Sequence, residues 1–385
     1  MFIAAASLAD DLSTRLFLPD SPIVGGRLFM EKGCVSCHAV QGLGGSGGPD
    51  LGRVQGAWSF LDIAGIMWNH SPKMEAEFER RKIVRPHLES VEMVDLIAFV
   101  YYLSYFDDLG DAARGELVFL RKHCSTCHMV GNHGATVGPS LDRFRSYRSP
   151  AFFTAALWNK GEKMTLALRD RGIPRPVFEG NDIVDILAYI RREAALETQE
   201  SQVLLRPGNS ASGVKLFNEK GCVKCHAVRG EGENVGPDLA SREQHRSLTH
   251  VAGAMWDHGP GMWKAMKEAG IERAKLTAEE MSDIVTYLFF SGFVDPPGDP
   301  SKGGELFAEK GCLACHELDP NEDSVGPHVT EMHLQSASQV AASMWNHASK
   351  MEEAARAVNF GWPQFKAGEM RELVSFINSR SQANP

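Results

Sequence analysis

Apolar residues recur at three- and four-residue steps along much of the chain. Leu96, Ile97, Val100 and Leu103 make one such stripe, and Ile183, Ile186, Leu187 and Ile190 another. That period predicts amphipathic helices. Glycine- and proline-rich stretches such as 42–49 break the pattern and predict loops between them. Longer interruptions at 107–111, 196–210 and 295–301 read as linkers. The expected fold class is therefore all-α, with small helical domains at 21–108, 111–195, 211–294 and 299–385. Residues 1–20 form a separate N-terminal segment and 196–210 a linker. That central linker is the longest and predicts a two-plus-two grouping. A domain of about 85 residues buries little core on its own, so something large and apolar must help to fill it.

The four stretches are copies of one another. Each contains C-x-x-C-H, at Cys34–His38, Cys124–His128, Cys222–His226 and Cys312–His316, with first cysteines 90, 98 and 90 residues apart. Other residues keep step, as a repeated unit requires. A glycine stands nine residues before each first cysteine (Gly25, Gly115, Gly213, Gly303), and a phenylalanine four later (Phe29, Phe119, Phe217, Phe307). A proline follows each motif histidine by eleven residues (Pro49, Pro139, Pro237, Pro327). Trp68, Trp158, Trp256 and Trp345 recur, each followed six residues later by Met74, Met164, Met262 or Met351. An aromatic stands 25 residues beyond each methionine, at Phe99, Tyr189, Tyr287 and Phe376.

Two cysteines three apart lie on one turn, where they can form thioethers to the two vinyl groups of a haem. The next residue then offers its imidazole to the iron. The cofactor-binding residues so read are Cys34, Cys37, Cys124, Cys127, Cys222, Cys225, Cys312 and Cys315, with iron ligands His38, His128, His226 and His316. The competing readings are zinc sites or redox dithiols. Zinc would need further ligands; His70, His258 and His347 stand in register, but the second repeat has Lys160 there.

On these residues each repeat resembles a class I cytochrome c domain, over about 340 residues in all. The resemblance implies four covalently attached haem c groups, each wrapped by one small helical domain. It implies a glycine and aromatic of a first helix (Gly25, Phe29) crossing a last helix (Phe99), and a proline carbonyl (Pro49) accepting the imidazole N–H. That hydrogen bond would fix the tautomer and raise ligand basicity.

Three columns near each tryptophan compete for the sixth ligand. The residue before it reads Met67, Leu157, Met255, Met344, and the residue two after it His70, Lys160, His258, His347. Only Met74, Met164, Met262 and Met351 are invariant, and these are read as the axial ligands; core filling is the bland alternative. The tryptophans are expected to pack on the haem, with an indole N–H within reach of a propionate. His/Met ligation raises the potential and leaves no open coordination position, so electron transfer is expected and catalysis is not.

The net charge of −9 disfavours nucleic acid as a partner. No uninterrupted apolar run of 18 residues occurs, so no membrane span is expected. The stretch 111–195 carries a charge of +4 and 299–385 one of −5. Arg143, Arg145 and Arg148 could form a docking face for an acidic partner, or a solvated basic face. The function expected is electron carriage between redox proteins, such as a membrane quinol-oxidising complex and a terminal reductase or acceptor. The alternatives are a subunit or filament-forming conduit of a larger assembly, and a multihaem oxidoreductase. The resemblance implies a periplasmic or extracellular protein. Residues 1–9 are apolar and end in small residues, like the tail of a signal peptide whose start lies upstream.

Overall fold

In a computed structural model, the described residues are 22–53, 58–105, 110–142, 149–194, 208–240, 247–318, 324–332 and 334–381. The N-terminal segment, most of the 196–210 linker, and Arg143, Arg145 and Arg148 lie outside them. The fold is all-α. Each repeat contributes a short first helix, a long helix carrying the tryptophan and methionine, and a last helix. These are α1 (Ile23–Glu31), α2 (Phe60–Arg81) and α3 (Ser90–Leu103) in the first repeat, and α4 (Ala112–Arg121), α5 (Pro150–Arg169) and α6 (Asp182–Glu193) in the second. The third has α7 (Ser210–Glu219), α8 (Leu248–Glu268) and α9 (Ala278–Ser291), and the fourth α10 (Pro300–Glu309), α11 (Ala337–Ala357) and α12 (Glu369–Ser381). Two-residue antiparallel ladders follow the first three motifs: Ala39–Val40 with Leu43–Gly44, Met129–Val130 with His133–Gly134, and Ala227–Val228 with Glu231–Gly232.

The long helices start where a serine nine residues before the tryptophan caps them. Ser59, Ser149, Ser247 and Ser336 each accept a backbone N–H of the first turn. Such a cap supplies about 1 kcal/mol by pairing a donor that the helix leaves orphaned. First and last helices cross at the register glycines. A Cβ on Gly25 would stand 1.9 Å from the Asp95 carbonyl oxygen, and one on Gly115 equally close to that of Asp185. Gly213 and Gly303 meet Asp283 and Glu372 in the same way. With the backbones this close, the register aromatics meet ring to ring. Phe29 and Phe99 are 5.5 Å apart by centroid, Phe119 and Tyr189 5.8 Å, Phe217 and Tyr287 5.7 Å, and Phe307 and Phe376 5.4 Å. The crossing expected from the resemblance is thus present in all four repeats.

The grouping is two-plus-two, but not in the halves that the long central linker suggests. One compact unit comprises Met1–Leu51, Trp58–Tyr101 and Phe293–Pro385, joining the first repeat to the fourth; the other centres on Tyr102–Gly292 and joins the second to the third. Linker length limits reach and does not choose partners, whereas buried apolar surface does. In the first unit α2 packs on α11 and α12. The stretch from 295, read as a linker, is built into it. The Phe293 carbonyl accepts from Phe60 N–H at 2.8 Å, and the Asp295 carboxylate accepts from the Ser59 hydroxyl and from Leu61 N–H. In the second unit α5 packs on α8 and α9. Its core runs from Val118, Phe119, Val130 and Phe153 through Ile186, Leu187 and Ile190 to Ala252 and Trp256, so one continuous cluster serves two repeats.

Within each unit the pairing is reciprocal. The Trp68 indole N–H donates to the Pro363 carbonyl at 2.9 Å, and that of Trp345 to Pro86 at 2.9 Å. In the second unit Trp158 donates to Ala274 at 2.9 Å and Trp256 to Pro176 at 2.8 Å. The indole N–H groups expected to reach a propionate are therefore occupied by backbone carbonyls of the paired repeat. The next residue acts likewise. The Asn69 amide both donates to the Phe365 carbonyl and accepts its N–H, as Asn346 does at Leu88 and Asn159 at Leu276. Asp257 accepts only, from Phe178 N–H at 3.3 Å. Asn346→Ala should cost the first unit roughly 2–4 kcal/mol, because it strands a donor and an acceptor together. A fall in the denaturant midpoint would register it, and an unchanged midpoint would show that water replaces the amide.

Candidate haem-attachment sites

Each C-x-x-C-H forms one tight turn. Cys34–Ser36 is a single 3-10 turn, entered through Gly33 in the left-handed region at φ 78°, and His38 N–H donates back to the Cys34 carbonyl at 2.9 Å. The other three turns repeat this, at Cys124–Thr126, Cys222–Lys224 and Cys312–Ala314. Glycine supplies the positive φ in three of them, at 80° for Gly221 and 75° for Gly311; in the second, His123 adopts it at 60°. Both cysteines of every motif are partly buried free thiols. Burial pushes the first thiols up, Cys34, Cys222 and Cys312 to about 11 and Cys124 to about 12. Among the described residues no three His, Cys, Asp or Glu side chains converge as a metal site.

A second loop fastens each imidazole. The Nδ1 atoms of His38, His128, His226 and His316 lie 3.0, 2.9, 3.0 and 3.0 Å from the carbonyl oxygens of Pro49, Pro139, Pro237 and Pro327. A carbonyl only accepts, so Nδ1 carries the proton, and Nε2 keeps its lone pair for a metal. The residue before each proline is the unread part of this device. Gly48 N–H donates to the Cys37 carbonyl at 2.8 Å, and Gly138, Gly236 and Gly326 do the same to Cys127, Cys225 and Cys315. A Cβ at Gly48 would stand 2.4 Å from the His38 ring, and those at Gly138, Gly236 and Gly326 2.5, 2.4 and 2.6 Å from theirs. The signal was in the sequence as a Gly-Pro pair in all four repeats, of which only the proline was weighed.

Lys32, Lys122, Lys220 and Lys310, two residues before each first cysteine, were also passed over. They pair with Glu92, Asp182, Glu280 and Glu369 in or next to the first turn of the last helix, at 2.8, 2.8, 2.6 and 2.8 Å. Each also donates to a carbonyl just before that helix, at His87, Val177, Lys275 and Gln364. The motif turn is thereby tied to the far end of its repeat.

The candidate sixth ligands separate by environment. His70, His258 and His347 are exposed, and each ring is bonded to the carbonyl four residues back on its own helix, at 2.8, 2.8 and 2.9 Å. Lys160 is exposed as well. Met67 and Met344 line a small, tightly packed pocket together with Met93, Met370, Trp68 and Trp345, on the face where the first and fourth repeats meet. Leu157 is core. Met74, Met164, Met262 and Met351 are half-buried, one to two turns beyond the tryptophan, and Met164 flanks the same apolar cluster as Cys124.

Against this geometry the comparisons are specific. Residues 24–104 and 210–289 match the cytochrome c family. Those segments are the first and third repeats. The chain is also 26% identical over 132 residues to the Cbb3-type cytochrome c oxidase subunit FixP of Rhizobium etli, a match covering 33% of this chain and 46% of that protein. The matched stretch thus spans less than half of the relative. No solved structure matches. The second and fourth repeats lie outside the family match but carry the same turn, the same imidazole bond and the same helix crossing. No described helix is long and apolar enough to cross a membrane.

Proposed function

We propose that the chain binds four haem c groups, one per repeat, and serves as an electron carrier between respiratory redox partners. The observation that carries this is the fourfold imidazole–proline bond, which leaves Nε2 of His38, His128, His226 and His316 free to ligate. The residues fit the group. The paired cysteines lie on one turn for two thioethers, Gly48 and its counterparts keep the ring flank clear, and Cys124 and Met164 pack against one apolar cluster. Met74, Met164, Met262 and Met351 supply the sixth ligand. When bound, the haem iron takes up and releases one electron at a time. The protein's share is to hold the imidazole orientation through the proline carbonyl, to exclude water with the register aromatics, and to close the sixth position with a thioether. A closed site exchanges electrons and binds no substrate.

The domains are 21–108, 111–195, 211–294 and 299–385, and the compartment is the periplasm or the cell exterior. A quinol-oxidising membrane complex and a terminal reductase or acceptor are the partners this chemistry suits. The likeness to an oxidase subunit favours a second reading, in which the chain is itself a subunit of such an assembly. Intact mass and a pyridine haemochrome assay test the first claim. The result expected is four covalent haems, with one lost in Cys124→Ala/Cys127→Ala; cysteines that stay unmodified in protein matured with haem would overturn it. Migration of the purified chain as a monomer on size exclusion would favour the carrier over the subunit.

A further inference from the structure

The residue eleven beyond each axial methionine candidate reads Arg85, Arg175, Arg273 and Trp362, and its surroundings differ between the two units. In the first unit Arg85 is fully engaged. Its guanidinium stacks on Trp345 at 3.9 Å, Nε donates to the Trp345 carbonyl, Nη1 to Glu75 at 2.8 Å, and Nη2 to Ser71. Glu75 directly follows Met74, and the buried Glu352 directly follows Met351. Trp362 stacks on Trp68 at 4.2 Å and donates to its carbonyl. That carbonyl is open because Pro72, four residues on within α2, has no N–H to give it.

In the second unit the same place is left short of acceptors. Arg175 lies over Trp256 at 3.8 Å and Trp263 at 5.7 Å, and its Nε donates to Thr165, the residue after Met164. Arg273 lies over Trp263, the residue after Met262, and pairs at 3.3 Å with the largely exposed Glu162. Among the described residues, three buried donor atoms there have no partner: Arg175 Nη2, Arg273 Nη1 and Trp263 Nε1. The nearby Asp257 carboxylate is turned to Phe178 N–H. Unsatisfied buried donors are costly, and two of these belong to cations, so an anionic acceptor completes the site. Guanidinium and carboxylate match in geometry as well as charge.

We propose that Arg175, Arg273 and Trp263 form a seat for haem propionate carboxylates at the junction of α5 and α8, and that the haems of the second and third repeats therefore hold electrons at higher potential than those of the first and fourth. This rests on the four-haem reading. A carboxylate beside an iron opposes the arrival of an electron, and a cation paired with it removes much of that opposition. In the first unit Glu75 already occupies Arg85, so this arginine is not open to a propionate there. Electrons delivered to the protein collect in the second unit.

Spectroelectrochemical titration of the holoprotein tests this, with Met164→His and Met262→His marking the waves of the second unit, and Met74→His and Met351→His those of the first. In the wild type the two upper waves should belong to the second unit. Arg175→Gln/Arg273→Gln should lower those two and leave the lower pair in place. Glu75→Gln, which releases Arg85, should raise waves of the lower pair. Upper waves that belong to the first unit, or that stay in place in an arginine variant retaining four haems, would overturn the proposal. Should that variant lose a haem, Glu75→Gln decides alone, and unmoved lower waves refute it. A wild type with fewer than four haems refutes the haem reading instead, and the haemochrome count separates the two failures.

Discussion

On the proposed four-haem reading, Met164→His should keep four haems bound and lower the potential of one of them by on the order of 0.1 V, a fraction of the roughly 0.8 V that axial ligands span. The soft thioether favours ferrous iron, and imidazole favours it less. Met164 sits half-buried in α5 beside the cluster that Cys124 flanks, so a new imidazole there faces the same apolar space. The near-infrared methionine–iron signature should fall to three quarters of its amplitude. An unchanged signature would remove Met164 from the ligand set. The neighbouring columns offer no substitute, since Lys160 is exposed and Leu157 is part of the core. The same substitution at Met74 should act on a haem of the other unit and leave this one unshifted.

Gly115→Ala should destabilise the second repeat by roughly 3 kcal/mol, at the upper end of what overpacking costs. The added methyl would stand 1.9 Å from the Asp185 carbonyl oxygen and 2.4 Å from its carbon, both backbone atoms of α6 that cannot rotate aside. Separating α4 from α6 would also pull Phe119 off Tyr189 and disturb Arg114, whose guanidinium pairs with the buried Asp185 carboxylate. Unfolding followed at the haem bands should show the loss. A variant as stable as wild type would mean that the two helices slide apart at little cost. Gly172, whose Cβ would meet nothing within 4 Å, is a control for the general effect of removing a glycine, apart from the strain of its positive φ of 65°.

Much of the site was legible because its chemistry is local. Cys124 to His128 span one turn, so their spacing alone placed two thiols and an imidazole together. The helix crossing was legible too, since a glycine and an aromatic four apart lie on one face, and the fourfold register named their partners at Tyr189 and its equivalents. Gly138 and Lys122 stood in the same register and went unread. Their roles lie in what they approach, the His128 ring and Asp182, which a sequence does not display.

The sequence by itself determined the repeat, the all-α class, the motif turns and the crossing inside each repeat, all of which rest on short spacings that helix and turn geometry fix. The tertiary structure alone decided which repeats join. The pairing depends on Trp68 finding the carbonyl of Pro363 and Trp345 that of Pro86, contacts between residues 295 and 259 positions apart. All four repeats carry the tryptophan, and three carry the asparagine beside it, so the pattern marks every repeat as able to pair and none as the partner of another. The choice is made by side chains that differ between copies, with Phe60, Tyr101 and Phe293 filling one junction and Phe153, Leu157 and Trp263 the other. Their fit is a matter of three-dimensional packing, which periodicity along a chain does not encode.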